Sequence, residues 1–334
     1  MGAPPGRQGH PVPQGLIMQG EQQAATGKLT LSILIDCCTP GAIWLSALAP
    51  AVLGVFFAME TGVSLSVPLV AVVLLIPVLF NASINLINDY YDYIQGNDTN
   101  ENIFGETDAP LAYNKIENPK PVLWAGFLCL LVGGLLGLYV ISQAGFKPLI
   151  IGAIGAISVL TYSGWKNSVS YLPIGELVAG FVMGGLIPLG VYTSLTGQID
   201  WSLLYKSIPM MLIVSQFMLV NNTCDMERDS AVGRRTLSIV VGRKNIHKVA
   251  AIFTFVWIIS MLHISIVWYT IGSPIIILMI FLFRRKFAKI YTGQRTKETK
   301  IEDVWNMVQV ATMVGILYPI SILIHILVMK LLMS

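Results

Sequence analysis

The chain has 334 residues, 54% of them hydrophobic and only 12% charged, where an ordinary soluble domain carries about 25% charged residues. That apolar excess cannot all enter one water-soluble core, and runs near the ~20 residues needed to cross a ~30 Å hydrocarbon layer recur with short polar breaks between them. The formal charge of +3, with no basic stripe interleaved with aromatics, argues for no nucleic-acid partner; the lipid bilayer is the expected solvent.

Residues 1–28 are rich in Pro, Gly and Gln and lack the apolar stretch of a signal peptide. They read as a disordered tail or a non-native extension ahead of a single transmembrane domain over residues 29–334. Continuous apolar runs predict nine helices, at roughly 30–58, 66–95, 121–143, 148–165, 170–196, 202–226, 246–269, 272–290 and 306–332. The runs are too long for barrel strands, so the expected fold class is an all-α integral membrane protein. With the N-terminus in the cytoplasm, all of the 21 Lys and Arg residues except Lys147, Lys206 and Lys330 fall in the tail and in the breaks after even-numbered helices. Positive-inside bias then sets the C-terminus on the opposite side. The four cysteines, Cys37, Cys38, Cys129 and Cys224, lie in or beside apolar segments without CxxC spacing, which speaks against zinc and against a disulfide framework.

Polar residues inside apolar helices are costly and need a reason. On the second helix Asn81, Asn85, Asn88 and Asp92 recur on one face, and on the sixth Ser215, Met218, Asn222, Asp225 and Asp229 do the same. Hard oxygen ligands of this kind suit Mg²⁺, and two facing clusters could hold ions with a diphosphate between them. The alternative is polar helix ends in the headgroup zone, paired with arginines. At the end of the fourth helix Tyr162 and Lys166 are four residues apart, placed either to contact a diphosphate or to anchor the helix at the interface. Arg228, Arg234, Arg235, Arg243 and Lys244 follow the sixth helix and either neutralise a leaving diphosphate or meet lipid headgroups. Arg284, Arg285, Lys286 and Lys289 read as a headgroup-binding run. No GxxxxGK[ST], GxSxG or HExxH element is present.

Asn88, Asp89 and Asp92 match a NDxxDxxxD pattern, with Gly96 at its third acidic place and Asp98 two residues later. Asp225, Asp229, Gly233 and Arg234 match DxxxD followed by Gly and a basic residue, and Tyr162 and Lys166 match YxxxK. Over about residues 30–330 the chain thereby resembles the UbiA superfamily of intramembrane aromatic prenyltransferases. The resemblance implies nine transmembrane helices around a central cavity and Mg²⁺-dependent chemistry on a prenyl diphosphate at the cytoplasmic end. It implies Asn88, Asp92, Asp225 and Asp229 as metal ligands, and Tyr162, Lys166, Arg228 and Arg234 as diphosphate contacts. Asp92, Asp225, Tyr162 and Lys166 are then the catalytic set, while Asn85, Asp89, Glu176 and Asn222 are candidates for the aromatic acceptor or for support, with Glu176 and Asp89 as conceivable bases.

Within the superfamily, NDYYDYIQGND and the segment from Ser168 to Gly197 look most like the enzymes that prenylate 1,4-dihydroxy-2-naphthoate in menaquinone synthesis. Many members carry an Arg-Pro near the start of the first helix; here Asp36 to Pro40 has no cation. Another aromatic acceptor or a membrane terpene cyclase would use the same diphosphate site. A cation-coupled transporter would place its acids near mid-membrane, not at one face, and a CDP-alcohol phosphotransferase would need a DGxxAR segment, which is absent.

Overall fold

The computed structural model describes residues 27–38, 44–99, 103, 106, 108–163 and 168–333, so residues 1–26 of the expected tail and Lys166 lie outside the described residues. Among these residues the regular structure is helical. The first expected helix is in two parts, α1 (Leu31–Cys37) and α2 (Ala49–Glu60), the second led in by a π-helical turn at Trp44–Leu48. There follow α3 (Val67–Ile94), α4 (Lys120–Ala144), α5 (Lys147–Tyr162), α6 (Gly175–Thr196), α7 (Ile208–Cys224), α8 (Arg243–Trp268), α9 (Ser273–Thr292) and α10 (Lys300–Met333). A helix thus stands at each of the nine expected positions. Five of them, α3, α4, α6, α8 and α10, are long and apolar enough to cross a bilayer by length and composition.

Local chemistry explains the boundaries. α3, α4, α5, α7 and α9 each have proline in the first turn, where the missing N–H breaks no helical bond. α3 stops where Gly96 takes φ +75° and its amide bonds back to the carbonyl of Tyr93. The sixth expected helix is interrupted twice: Ser202–Lys206 precedes α7, and beyond Cys224 the chain leaves the helix at Asp225 (φ −97°, ψ 10°) before the short helix Met226–Ala231. The predicted polar stripe therefore crosses a break, and Asp229 is carried on a separate turn.

α6 approaches α7 through a π-helical stretch, Gly180–Leu186, whose glycines, lacking a Cβ, let the two backbones come close. A Cβ added at Gly180 would meet Ser215 Oγ at 1.9 Å, and one at Gly184 would meet the Met211 amide nitrogen at 2.4 Å. α7 and α8 are joined by a buried polar knot: the Gln216 amide donates to the carbonyl of Ala250 at 2.6 Å and to Thr254 Oγ1 at 2.8 Å, and accepts from Trp257 Nε1 at 2.8 Å. Fully satisfied, such a knot fixes register without leaving an orphan group in apolar surroundings. The core between α2, α6, α7, α8 and α10 is filled by Leu53, Phe57, Leu189, Met210, Trp257, Val310 and Tyr318.

The outside is inverted relative to a soluble protein. Leu131, Leu135 and Leu138 on α4 and Phe281 and Leu282 on α9 are each more than half exposed, and a continuous apolar rim of this kind is stable only against lipid. The chain is a multi-pass membrane protein. The C-termini of α3, α5 and α7 and the N-termini of α6 and α10 meet at one end of the bundle, where the acidic residues gather.

Candidate active site

A cavity of about 1360 Å³ runs into the bundle from that end. Its mouth is charged and its depth is apolar, with Phe80, Ile213, Val214, Phe217 and Val308 among the deeper walls. Asp92 and Asp229 face each other across Arg234, which binds both: one terminal nitrogen pairs with Asp92 and the other reaches Asp229 Oδ1 at 3.2 Å. The guanidinium also lies over the Tyr171 ring, 5.0 Å from its centroid. Arg228 forms a second bridge, to Asp225 at 2.8 Å, Asp98 at 3.3 Å and Asp108 at 3.5 Å. Lys300, the first residue of α10, reaches Asp108 at 2.7 Å and Asp225 at 3.0 Å.

The two acidic motifs are therefore brought together by the packing of the helices that carry them. Asn88 donates from Nδ2 to Asp92 Oδ2 at 2.9 Å while its Oδ1 accepts from Ser163 Oγ at 2.7 Å, so its amide nitrogen, not its oxygen, faces the carboxylate. Asn97 also donates to Asp92, at 2.7 Å, and to the Tyr171 hydroxyl at 2.8 Å. Tyr162 and Asp89 line the cavity. Asn85 lines the cavity too, and its Nδ2 donates to the carbonyl of Cys38 at 3.1 Å, which ties α3 to α1. Asn222 lines the cavity and donates to Glu176, which is buried behind the wall at 1% exposure.

The basic loop divides by contact. Arg228 and Arg234 are in the cluster, whereas Arg243 pairs with Glu227 at 2.7 Å and Lys289 with Glu302, both toward the surface. Asp108, Lys300, Asn97 and Tyr171 belong to the site without having been singled out in sequence. Lys300 lies 75 residues from Asp225, and nothing local to it except its place before a long apolar helix distinguishes it from the other exposed-looking lysines.

Among the described residues Asp92, Asp98, Asp108, Asp225 and Asp229 pair with Arg228, Arg234 and Lys300 in one network. Burial, with Asp92 nearby, pushes Asp98 up to about 7, and burial pushes Asp229 up to about 6 against the pull of Arg234. Burial alone would lower Arg228 and Arg234, but the carboxylates around each outweigh it and hold both guanidinium groups above their usual range.

Residues 47–306 match the UbiA prenyltransferase family. The chain belongs to that family, and it is a prenyltransferase. It is 27% identical over 246 residues to the 1,4-dihydroxy-2-naphthoate octaprenyltransferase of Bacillus subtilis (strain 168), covering 73% of this chain and 78% of that one. It is 26% identical over 199 residues to UbiA prenyltransferase domain-containing protein 1 of Xenopus tropicalis, covering 59% of this chain and 56% of that relative's length. Among solved structures, a UbiA homolog from Archaeoglobus fulgidus bound to GPP and Mg²⁺ superposes with a TM-score of 0.62 at 15% identity, covering 87% of this chain and 99% of that one. At that identity the likeness speaks for the fold.

The donor set fits a magnesium ion in chemistry. It is made of carboxylate oxygens at the mouth of a cavity, the kind of ligand that hard divalent cations take. Among the described residues no three acidic, histidine or cysteine side chains enclose a single metal position, because arginine and lysine groups are interposed between the aspartates.

Proposed function

We propose that the protein transfers a prenyl chain from an allylic prenyl diphosphate to an aromatic acceptor at the cytoplasmic end of nine transmembrane helices, with 1,4-dihydroxy-2-naphthoate as acceptor and menaquinone synthesis as the setting. The observation that carries this is the joining of the two acidic motifs by Arg228 and Arg234, with Lys300 beside them on Asp225, at the mouth of a cavity whose depth is apolar. A substrate with an anionic head and a hydrocarbon tail fits that polarity. The naphthoate acceptor is supported by the Bacillus subtilis relative.

Asp92, Asp225 and Asp229 would hold Mg²⁺, with Asn88 joining them if its amide turns over. When bound, Mg²⁺ supplies positive charge against the diphosphate oxygens. Arg228, Arg234 and Lys300 are already in place as the carboxylates' partners, and Tyr162 and Lys166 complete the head-group contacts. As the allylic C–O bond breaks, negative charge grows on the leaving diphosphate, and preformed cations act most strongly there. The allylic carbon becomes cationic, a ring carbon of the acceptor attacks it, and the ring proton is lost. The apolar depth, with Phe80, Phe217 and Val308 around it, keeps water from the cation.

The test is mass spectrometry of products from purified protein offered Mg²⁺, prenyl diphosphates of several lengths and a panel of hydroxylated aromatic acids. The expected product is a prenylated naphthoate derivative. A prenyl hydrocarbon formed equally well without acceptor would favour a cyclase, and no consumption of any diphosphate would refute the reading.

A further inference from the structure

The segment after the second acidic motif runs Arg234-Arg235-Thr236-Leu237, and its last part has no role in holding a diphosphate. Thr236 stands at the N-cap of the short helix Leu237–Val241 with φ −59° and ψ 163°. A threonine there ordinarily turns its hydroxyl onto a backbone amide of the first turn. Here it makes no such bond. Glu176 holds the helix end at the preceding amide: its Oε1 accepts from Leu237 N at 3.2 Å as well as from Asn222 at 2.9 Å. The Thr236 hydroxyl is left with no partner at the helix end. It is 2% exposed, its residue lines the cavity, and it has no partner.

Two nearby residues also carry an unpaired buried atom, Arg234 in the cavity wall and Glu176 behind it. Of six buried side-chain polar atoms without a partner among the described residues, three belong to this corner: Thr236 Oγ1, Arg234 Nε and Glu176 Oε2. Buried polar atoms are rarely left unpaired, and the pair on cavity-lining residues, Thr236 Oγ1 and Arg234 Nε, with the Glu176 carboxylate close behind, marks where a ligand atom completes the bonding. Arg234 Nε can only donate, a carboxylate oxygen can only accept, and the Thr236 hydroxyl can do either. An ionised phosphate offers acceptors alone and would be set against the Glu176 carboxylate. A ring hydroxyl offers both a donor and an acceptor, and matches the mixed set.

We infer that Thr236 and Arg234 Nε, held in place by Glu176, form the subsite that recognises an oxygen substituent of the aromatic acceptor. This rests on the acceptor reading above. The two terminal nitrogens of Arg234 bind Asp92 and Asp229, so one guanidinium spans the diphosphate end and the acceptor corner and sets the distance between the two substrates. Thr236 is then a specificity-determining residue, and Glu176 a positioning residue that fixes the turn carrying both donors.

The experiment uses the full-length protein in detergent, with 1,4-dihydroxy-2-naphthoate as the probe. Its binding without donor is measured by tryptophan fluorescence, and KM for donor and acceptor are measured separately. Thr236→Val removes the hydroxyl at nearly constant volume, and because that hydroxyl caps nothing, the melting temperature stays unchanged. Acceptor affinity is expected to fall about tenfold, the value of one hydrogen bond to a ligand oxygen, with acceptor KM rising in step and donor KM constant. Thr236→Ser restores both. If Thr236→Val does not fold, Thr236→Ala against Thr236→Ser is read in the same way. Unchanged acceptor affinity in the variant lacking the hydroxyl, or a rise in donor KM in place of acceptor KM, overturns the inference. A wild-type protein that prenylates no hydroxylated acid overturns the acceptor reading and this inference with it; a wild-type protein that does so, matched by Thr236→Val, overturns this inference alone.

Discussion

Lys300→Met is the most informative single change, because Lys300 belongs to no sequence motif and yet touches the site at two points. Its ammonium is 2.7 Å from Asp108 and 3.0 Å from Asp225, with the residue 7% exposed. At an effective dielectric of about 20 each contact is worth about 6 kcal/mol of Coulomb energy, most of it offset by the cost of taking the charges out of water. Removing one partner of such a group costs about 3–5 kcal/mol, since the carboxylates stay buried. Arg228 remains on both aspartates, which places the expected loss near the lower end, about 3 kcal/mol without divalent ions. A divalent cation should bind more tightly once the competing ammonium is gone, by at least about tenfold, or ~1.4 kcal/mol. Thermal unfolding in detergent across a Mg²⁺ titration reads both effects, as a lower melting temperature in chelator and a larger Mg²⁺-dependent recovery. Equal stability in chelator, or the same Mg²⁺ half-saturation as wild type, would show that Lys300 and the metal do not share these carboxylates.

Asp92→Ala and Asp225→Ala should each lower turnover by about 10²-fold or more while the protein elutes as folded; near wild-type rates, or full activity in excess chelator, would remove the metal assignment. Lys166→Ala and Lys166→Arg should both reduce turnover or raise donor KM, because a guanidinium places its donors differently from an ammonium; full activity in Lys166→Arg would mark it as an interfacial anchor. Gly184→Ala should destabilise the fold by about 1–3 kcal/mol, since its Cβ would lie 2.4 Å from the Met211 backbone nitrogen; an unchanged unfolding temperature would contradict the close packing of α6 on α7. A label at Lys297 should react from the cytoplasmic side and a tag after Ser334 from the other; a C-terminus reached from the cytoplasm would mean that the number of crossings is even.

Some of this could be read from the residues alone. Helix positions follow from apolar runs, because the bilayer imposes a minimum length on any spanning segment whatever its neighbours. The acidic motifs are visible because a helix repeats every 3.6 residues, so Asn88 and Asp92 declare a shared face without reference to the rest of the chain. Departures begin where helices end. Asp229 was expected on one continuous helix with Asp225, but the backbone breaks at Asp225 and carries Asp229 on a separate turn. Asn85 keeps the period of its face and lines the cavity, but its amide partner, the Cys38 carbonyl, is set by how α1 packs on α3 and not by the spacing.

Composition and periodicity by themselves determined a helical membrane protein with two acidic stripes ending at one face, since both depend on interactions within a segment or between a segment and lipid. Only the tertiary structure decided which cations those acids meet. Asp108 and Lys300 come from a loop and a helix start far apart in the chain, and Glu176, 61 residues from Leu237, accepts from the first amide of the short helix that Thr236 leads. Contacts of that kind are set by how helices pack against one another, and no spacing along the chain encodes them.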